Sequence, residues 1–342
     1  PVTAPGASTC TVVVRWDGAH VTYPALVDPT WETAGDMVQA RTQAVATEID
    51  PASPGSVVLF TGGFNGAGTA LTSAELYFPG ERTFAKTADL QSKRGAHTAT
   101  RLVGGNILVA GGLPTTASDP EPSMELYNPQ SGTFSTVAIA MSPARAQHTA
   151  TLLDDGSVLF AGGTTLLGQP TITAVRLDPA ATGFTALGPM TSARAAHTAT
   201  PLRNGKVLIV GGFVQSQNAL LSVELFDPAT NAFENITTLG AGLKTQMTKA
   251  RAFHTATRVD CKTVLITGGT NKLTGGIVEA TAELWQDDEN TTSDAECPTV
   301  AAATVRGLSS QVLTMTAARA RHTATLLPTG QVVVVAGTSG AV

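Results

Sequence analysis

The sequence predicts an all-β protein built from six copies of one four-stranded antiparallel sheet. Three features repeat along the chain at intervals of 49 to 68 residues, as the steps from Arg145 to Arg194 and from Arg251 to Arg319 show. They are the string His-Thr-Ala-Thr, a short apolar run that ends in two glycines, and a Glu-Leu-aromatic element. Self-similarity at such a period indicates a repeat architecture, in which each unit is one supersecondary element.

The first two strands of each unit, a and b, come from the first two features. The string His-Thr-Ala-Thr occurs five times, each time three residues after an arginine. The apolar run that follows, such as Val158–Ala161, is too short and too rich in β-branched residues for a helix, and turn signals such as Asp155-Gly156 separate it from strand a. A sixth, degraded copy starts at Arg41, where Ala44 replaces the histidine. The five arginine–histidine pairs are Arg94 and His97, Arg145 and His148, Arg194 and His197, Arg251 and His254, and Arg319 and His322.

The Glu-Leu-aromatic element predicts strand c, and an aromatic residue begins strand d. Strand c is represented by Glu75–Tyr77 and by three further copies, while the copy at Val175 lacks the glutamate. An Asx-Pro turn such as Asn128-Pro129 often follows, and phenylalanines such as Phe134 open the last strand. Each unit is therefore a four-stranded antiparallel meander, which buries both of its faces only when sheets stack around a ring.

The two ends of the chain together complete the sixth unit. Strands a and b lie at His322–Ala336, whereas Ala25–Asp28 and Trp31 have the pattern of strands c and d. The prediction is a six-bladed β-propeller over residues 25–342, with an insertion at 286–308, closed by strands from both termini that share one blade. Residues 1–24 form an N-terminal extension. Within it, Val12–Trp16 either competes for the strand b position or adds an outer strand.

These motifs resemble the kelch repeat, and the resemblance extends from about Ala25 to Gly337. One departure is that kelch units usually have tryptophan at the start of strand d, where this chain has phenylalanine four times and only Trp31 keeps the usual residue. The resemblance implies that ligand contacts cluster on the b–c loops and on the connections between strand d and the next strand a.

We expect the repeated arginines and histidines to be structural, because a position kept in every blade is what each blade needs in order to fold. They would satisfy backbone carbonyls between neighbouring blades, and the glutamate of strand c is a natural ion-pair partner for the arginine. The alternative is a ring of histidines that binds a metal. Side chains spread around a wide channel would be too far apart for one tetrahedral ion, so we expect no metal and no cofactor.

Binding residues are expected where the repeats differ. The position before each histidine varies, with Gln147, Phe253 and Arg321 as the larger side chains. The b–c loops vary as well, and the alternative is that they are unconstrained surface. The polar candidates in these loops are Asp119, Glu121, Gln215, Gln217 and Asn218.

The three cysteines indicate an oxidising compartment. Cys261 lies in an a–b turn and Cys297 in the c–d insertion of the same unit. Both connections emerge at the same end of a meander, so we predict a Cys261–Cys297 disulfide and leave Cys10 unpaired. The alternative is two free thiols in a reducing cell. The disulfide places the protein outside the cell, on the cell surface or in the periplasm, as a secreted protein of bacterial type.

The net charge of −5 and the lack of a dense basic run argue against nucleic acid as a partner, and no apolar stretch is long enough to span a membrane. We expect a non-enzymatic binding or interaction module, which engages protein partners or self-assembles in a cell-surface structure through its loop faces. The alternative is a kelch-type enzyme that acts on a sugar at the central pocket, in the manner of a sialic-acid mutarotase.

Overall fold

The computed structural model describes residues 35–53, 55–236, 243–287, 306–315, 317–326 and 332–339. The chain divides into two compact units. The first unit is Thr33–Ala196, and the structure describes the second unit from His197 onward. Each unit consists of antiparallel sheets in which consecutive strands are neighbours, apart from one added edge strand.

The first unit contains three four-stranded sheets. Its strands are β1 (Val45–Glu48), β2 (Val58–Thr61), β3 (Ala74–Phe78) and β4 (Thr83–Lys86), then β5 (Thr98–Arg101), β6 (Ile107–Ala110), β7 (Met124–Asn128) and β8 (Thr133–Thr136), then β9 (Thr149–Leu152), β10 (Val158–Ala161), β11 (Ala174–Leu177) and β12 (Phe184–Ala186). A single 3-10 turn, Leu166–Gly168, lies in the loop between β10 and β11.

The second unit contains a four-stranded, a five-stranded and a two-stranded sheet among its described residues. Its strands are β13 (Thr198–Pro201), β14 (Val207–Val210), β15 (Val223–Asp227) and β16 (Ala232–Asn235), then β17 (Leu243–Lys244), β18 (Thr255–Arg258), β19 (Thr263–Thr267), β20 (Thr281–Asp287) and β21 (Arg306–Thr314), then β22 (Thr323–Leu326) and β23 (Val332–Val335).

Strand b is the most buried strand of each complete sheet. All four residues of β6, β10 and β14 are buried, whereas the outer strand β8 exposes three of its four. The reason is that neighbouring sheets pack face to face, so strand b has apolar side chains against it on both faces. One apolar cluster joins β6 to β10 in the first unit, and another joins β14 to β19 in the second.

Two glycines end strand b because the next sheet comes too close for a side chain. A Cβ atom on Gly111 would lie 2.4 Å from the carbonyl oxygen of Arg145, at a φ of +66°. The N–H of the following Gly112 donates a hydrogen bond of 3.0 Å to that same oxygen. The glycine pair is thus a contact between sheets, made by the backbone, and side chains are excluded from it.

The prediction of an all-β fold made of four-stranded antiparallel blades is confirmed. Five complete sheets are described, and β22–β23 supply two strands of a sixth. The expected strands at Ala25–Asp28, Trp31 and Val12–Trp16, and the extension 1–24, lie outside the described residues. The described residues contain no helix that is long and apolar enough to cross a membrane.

The fifth sheet differs from the prediction by one strand. β17 pairs with β21 at the edge of the sheet, with Leu243 opposite Ser309 and Lys244 opposite Leu308. β20 and β21 also extend into both ends of the predicted insertion 286–308. The nine residues of β21 offer more edge than the other outer strands, and this extra length accommodates β17.

Candidate functional site

Four of the repeated arginines are fully buried inside their own sheets, and Arg94 shows how the terminal N–H donors are used. In the second sheet, Arg94 Nη1 donates to the carbonyl oxygens of Gly111 and Ser123, at 2.8 and 3.0 Å. Its Nη2 donates to Ser123 Oγ and forms a 2.9 Å ion pair with Glu125. The arginine therefore joins the end of strand b to the start of strand c, where backbone carbonyls would otherwise lack partners.

The glutamate of the ion pair also accepts hydrogen bonds from backbone N–H groups. The Glu125 carboxylate accepts the N–H groups of Gln91 and Ser92, at 2.7 and 3.1 Å. The same arrangement surrounds the ion pairs Arg41–Glu75 and Arg251–Glu283. We call this group of arginine, glutamate and two backbone N–H donors the arginine box.

The third sheet contains a modified arginine box. Val175 occupies the glutamate position, and Arg145 donates to the carbonyl oxygens of Gly162 and Thr173. Burial lowers the pKa of Arg145 to about 10. One of the two backbone donors is absent too, because Pro143 stands where Ser92 donates in the second sheet and proline has no N–H. The loss of the acceptor is matched by the loss of a donor.

The ring nitrogens of four repeated histidines lie within hydrogen-bonding distance of the preceding sheet of their unit. His148 Nε2 lies 3.0 Å from Thr98 Oγ1, and the same distance joins His254 to Thr198 and His322 to Thr255. The expectation was a backbone carbonyl as the partner. The observed partner is the threonine that follows the histidine of the preceding repeat. The histidine of one His-Thr pair therefore bonds to the threonine of the pair before it. In the first sheet, where this dipeptide is absent, Thr61 Oγ1 serves His97 at 2.8 Å.

Burial keeps the histidines neutral. Burial, with a smaller contribution from the positive charges of the neighbouring Arg94 and Arg319, lowers the pKa of His97 to about 3 and that of His322 to about 4. The described ring partners are threonines of the preceding sheet. The described residues contain no group of three or more His, Cys, Asp or Glu side chains that could hold a metal ion.

The variable position before each histidine has the same unusual backbone in all six repeats. Its φ lies between +51° and +57°, a left-handed conformation that side chains other than glycine adopt at a cost of about 1–2 kcal/mol. We call these positions the slots. The six slot residues are Gln43, Ala96, Gln147, Ala196, Phe253 and Arg321.

Backbone hydrogen bonds join successive slots within each unit. In the first unit the N–H of Gln147 donates to the carbonyl of Ala96, and the N–H of Ala196 donates to the carbonyl of Gln147, both at 2.9 Å. In the second unit the N–H of Arg321 donates to the carbonyl of Phe253 at 2.9 Å. The slots therefore form rows with a fixed backbone and different side chains.

Two slot side chains stack on each other in the second unit. The Arg321 guanidinium carbon lies 4.4 Å from the centre of the Phe253 ring. Phe253 stacks in turn on Phe213, with 6.0 Å between ring centres and 27° between ring planes. Phe213 is buried and directly follows the glycine pair of the fourth sheet, a position that the sequence analysis did not single out.

Hydrogen bonds tie b–c loops of neighbouring sheets to one another. Asp119 Oδ1 accepts the N–H of Leu167 from the next loop at 3.1 Å, and Glu121 accepts the N–H of Ser123. In the second unit the carbonyl of Gln217 accepts the N–H of Leu273 at 2.9 Å. The loops of neighbouring sheets therefore hold each other in place.

The sequence-predicted binding residues fall into two groups. Gln147, Asp119 and Glu121 lie at the loop end of the first unit, which is the end that carries the b–c loops and the slots. The loop end of the second unit carries Phe253, Arg321, Gln215, Gln217 and Asn218. The last three are exposed, and Asn218 Nδ2 donates to Ser216 Oγ at 3.2 Å.

Exposed leucines at the loop end of the first unit were missed. Leu166 and Leu167 are 64% and 86% exposed, and Leu167 has a φ of +58°. The signal was present in the sequence as two adjacent leucines in a loop.

The structure resembles a solved structure described as "Structure of YjhT", with a TM-score of 0.59 and 15% sequence identity over 74% of this chain and 83% of that chain. No protein-family model matches the chain, and no curated protein matches it in sequence. At this identity the likeness shows the fold alone. Together with the four-stranded antiparallel sheets, it identifies the fold as a kelch-like β-propeller fold.

Proposed function

We propose that this chain is a non-enzymatic binding module that engages a protein partner through its loop ends. The observation that carries the proposal is the slot row, in which one strained and hydrogen-bonded backbone position presents a different side chain in successive repeats. Left-handed backbone at residues other than glycine persists only where the surroundings enforce it, and such positions cluster at ligand-binding sites. The repeats share this backbone geometry and differ in the side chain at the slot.

The side chains at the loop ends suit a protein surface. Aromatic residues and arginine are enriched at protein interfaces, and the slots include Phe253 and Arg321. In the second unit Gln215 is an exposed amide of a b–c loop, and in the first unit Leu166 and Leu167 are exposed in a b–c loop. Rigid loops that expose both apolar and amide groups can bind without first paying for their own ordering.

The enzymatic alternative has less support. A mutarotase-like enzyme needs an acid and a base within reach of its substrate. Among the six slots the only ionisable side chain is Arg321, and a guanidinium does not exchange protons near neutral pH. We therefore favour a binding function over an enzyme that acts on a sugar.

Differential capture tests the proposal. The full chain would be immobilised and exposed to a cell-surface extract from its source, beside a variant with Gln147→Ala, Gln215→Ala and Asn218→Ala. The control is Val103→Ala, an exposed residue in an a–b turn at the opposite end of its sheet. We expect a protein that wild type and the control retain and that the triple variant loses. Sedimentation velocity on the same variants would show whether the partner is a second copy of this chain. Capture that is insensitive to the loop-end substitutions would contradict the proposal.

We further propose that the protein functions in an oxidising compartment, outside the cell or in the periplasm, with Cys261 and Cys297 linked. In support, Cys261 lies in the turn between β18 and β19, at the end of the sheet from which the connection between β20 and β21 also emerges. That connection contains Cys297, and both Cys10 and Cys297 lie outside the described residues. Mass spectrometry of unreduced peptides distinguishes the pairings. We expect a Cys261–Cys297 peptide, whereas a Cys261–Cys10 peptide or free thiols would refute this assignment.

We propose six blades, of which Ala25–Trp31 completes the one that contains β22 and β23. Support comes from Arg319, whose Nη1 donates to the carbonyl of Ala336 at 3.0 Å, as Arg94 does to Gly111 in a complete sheet. The final copy thus starts with the same arginine contact as the complete repeats.

A further inference from the structure

Arg321 combines an exposed side chain with the lack of an anionic partner within the described ranges. Arg41, Arg94 and Arg251 each pair with a buried glutamate. Arg321 has an accessible side chain, and its one described side-chain contact is the Phe253 ring. Partial burial lowers the pKa of this guanidinium, which shows that some of its hydration has been replaced without a compensating charge.

The stack on Phe253 fixes how the guanidinium is presented. The left-handed backbone, with φ of +57°, and the hydrogen bond from its N–H to the Phe253 carbonyl set the direction of the side chain. Phe253 is itself held against the buried Phe213. Stacking uses the flat face of a guanidinium and leaves its N–H edge available, which is the edge that binds a planar anion with two parallel hydrogen bonds.

We propose that Arg321 and Phe253 form a carboxylate-binding subsite. The N–H edge of Arg321 binds the two oxygens, and the ring of Phe253 contacts the apolar group that carries them. The ligand is the carboxylate of an aspartate or glutamate on the surface of the protein partner. This inference rests on the proposed function, because it names the chemistry that one slot pair recognises.

The charge of the site favours a carboxylate over a phosphate. Arg321 is the one cation among the six slots, and the whole chain carries a net charge of −5. A single guanidinium balances a singly charged planar group, whereas a dianionic phosphate usually recruits several cations or backbone N–H groups. The aromatic ring on one side also excludes water from the ion pair, which strengthens the electrostatic attraction.

The test measures binding of two blocked peptides, Ac-Leu-Glu-Leu-NH2 and Ac-Leu-Gln-Leu-NH2, to the full chain by calorimetry or by NMR titration. Free glucuronate is a third probe, since a small organic acid carries the same group. We expect the Glu peptide to bind at least about tenfold more tightly than the Gln peptide, the minimum for a charge-assisted pair of this kind.

Variants of the slots themselves are suited to this test because each new residue already occupies a slot elsewhere. Arg321→Gln introduces the residue found at Gln147, and Phe253→Ala introduces the residue found at Ala96. We expect Arg321→Gln to abolish the preference for Glu over Gln, and Phe253→Ala to weaken both peptides. The control is Arg258→Gln, which removes an equal charge from an exposed residue at the other end of strand β18.

Each outcome decides the proposal. Equal affinity for the two peptides, a preference that survives Arg321→Gln, or no binding of any probe up to about 10 mM would overturn it. Glucuronate that binds more tightly than the Glu peptide would overturn the protein ligand in favour of a small acid. Loss of partner capture in the Gln147, Gln215 and Asn218 variant, together with failure here, would leave the proposed function standing and reject only the carboxylate subsite.

Discussion

The arginine box places a buried charge where several backbone groups need partners. Arg94 and Glu125 are both fully buried, and between them they bond two carbonyls, one hydroxyl and two N–H groups. A buried ion pair adds little stability compared with apolar side chains, but removal of one partner leaves the other charge without compensation. In the third sheet two members of the arginine box are replaced together: Val175 stands in place of the glutamate acceptor, and Pro143 in place of a backbone N–H donor.

Glu125→Gln is therefore expected to be strongly destabilising. The neutral amide leaves Arg94 without its counter-charge and turns an NH2 group towards backbone donors. We expect a loss of about 3–5 kcal/mol in the free energy of unfolding, measured by urea denaturation. Asp155→Asn is the control, because its carboxylate is half exposed in the ion pair with Arg176 and should cost less than about 1 kcal/mol. Equal costs at both sites would contradict the role of burial.

The buried histidines predict how stability depends on pH. Burial lowers the pKa of His97 in the folded protein to about 3, below the unfolded value of 6.5. The unfolded chain thus takes up protons first as pH falls. The stability that comes from the neutral ring is fully present above pH 6.5 and is lost progressively down to the folded pKa. His322, with a pKa of about 4, adds to the same slope.

As the pH falls from 6.5 to 5, we expect the free energy of unfolding to decrease by about 2 kcal/mol because of His97 alone. Urea titrations at pH steps of one half would measure it, and His97→Gln should flatten the slope over this window. Carboxylates with lowered pKa values, such as Asp155, lose their contribution only below pH 4, so they do not affect this window. A slope that is unchanged in His97→Gln would exclude the buried histidine as its source.

At the scale of the sheets, contacts between neighbours depend on matched pairs of positions. The residue after each glycine pair packs against the residue after the next arginine, as in Phe64 with Gly95. A Cβ atom on Gly95 would lie 2.4 Å from the Phe64 ring. Elsewhere in the chain the corresponding residues are Thr164 with Ala195 and Thr270 with Ala320. At this pair, the position of the Phe64 ring leaves no room for a side chain at Gly95.

A double-mutant cycle tests this coupling between sheets. Gly95→Ala should cost about 1–3 kcal/mol because the buried ring must move, and the same change in a Phe64→Thr background should cost close to nothing. Unfolding midpoints in urea would give the four values. Gly104→Ala is the control, since a Cβ atom there meets no other atom within 4 Å. If the two costs of Gly95→Ala are equal, the pair is not coupled.

At the scale of the whole molecule, both units use the same blade construction and carry different side chains at their loop ends. Arginine boxes and His–Thr contacts occur in each unit, while the exposed apolar residues Leu166 and Leu167 belong to the first and the Arg321–Phe253 stack to the second. Function is therefore proposed where the repeats differ, on a scaffold that they share.

The proposed sixth blade makes a prediction for the whole chain. Removal of residues 1–24 should leave the melting temperature close to that of wild type. Removal of residues 1–34 also deletes the proposed strands c and d and leaves the edge of β23 without a partner, so we expect a lower melting temperature and aggregation. Calorimetry and light scattering would measure both. If both truncations are equally destabilising, residues 1–24 are themselves needed for the fold, and this would contradict the assignment of the missing strands to Ala25–Trp31 alone.

The sequence by itself determined the all-β class and the four-stranded repeat. It could do so because five good copies of one motif record what every blade needs. Strand lengths, turns and glycine pairs follow from local sequence, since the steric and hydrogen-bonding demands that produce them act within a few residues or between identical neighbours.

The tertiary structure alone decided which partners these residues have and which side chains come together. The described histidine partners are threonines between 36 and 67 residues earlier in the chain. The slots adopt a left-handed backbone although none of them is glycine, and Phe213, Phe253 and Arg321 meet in one stack. The added strand β17 was equally unforeseen. The physical reason is that these contacts join segments distant in sequence, through backbone atoms or ring faces that leave no periodic pattern in the chain.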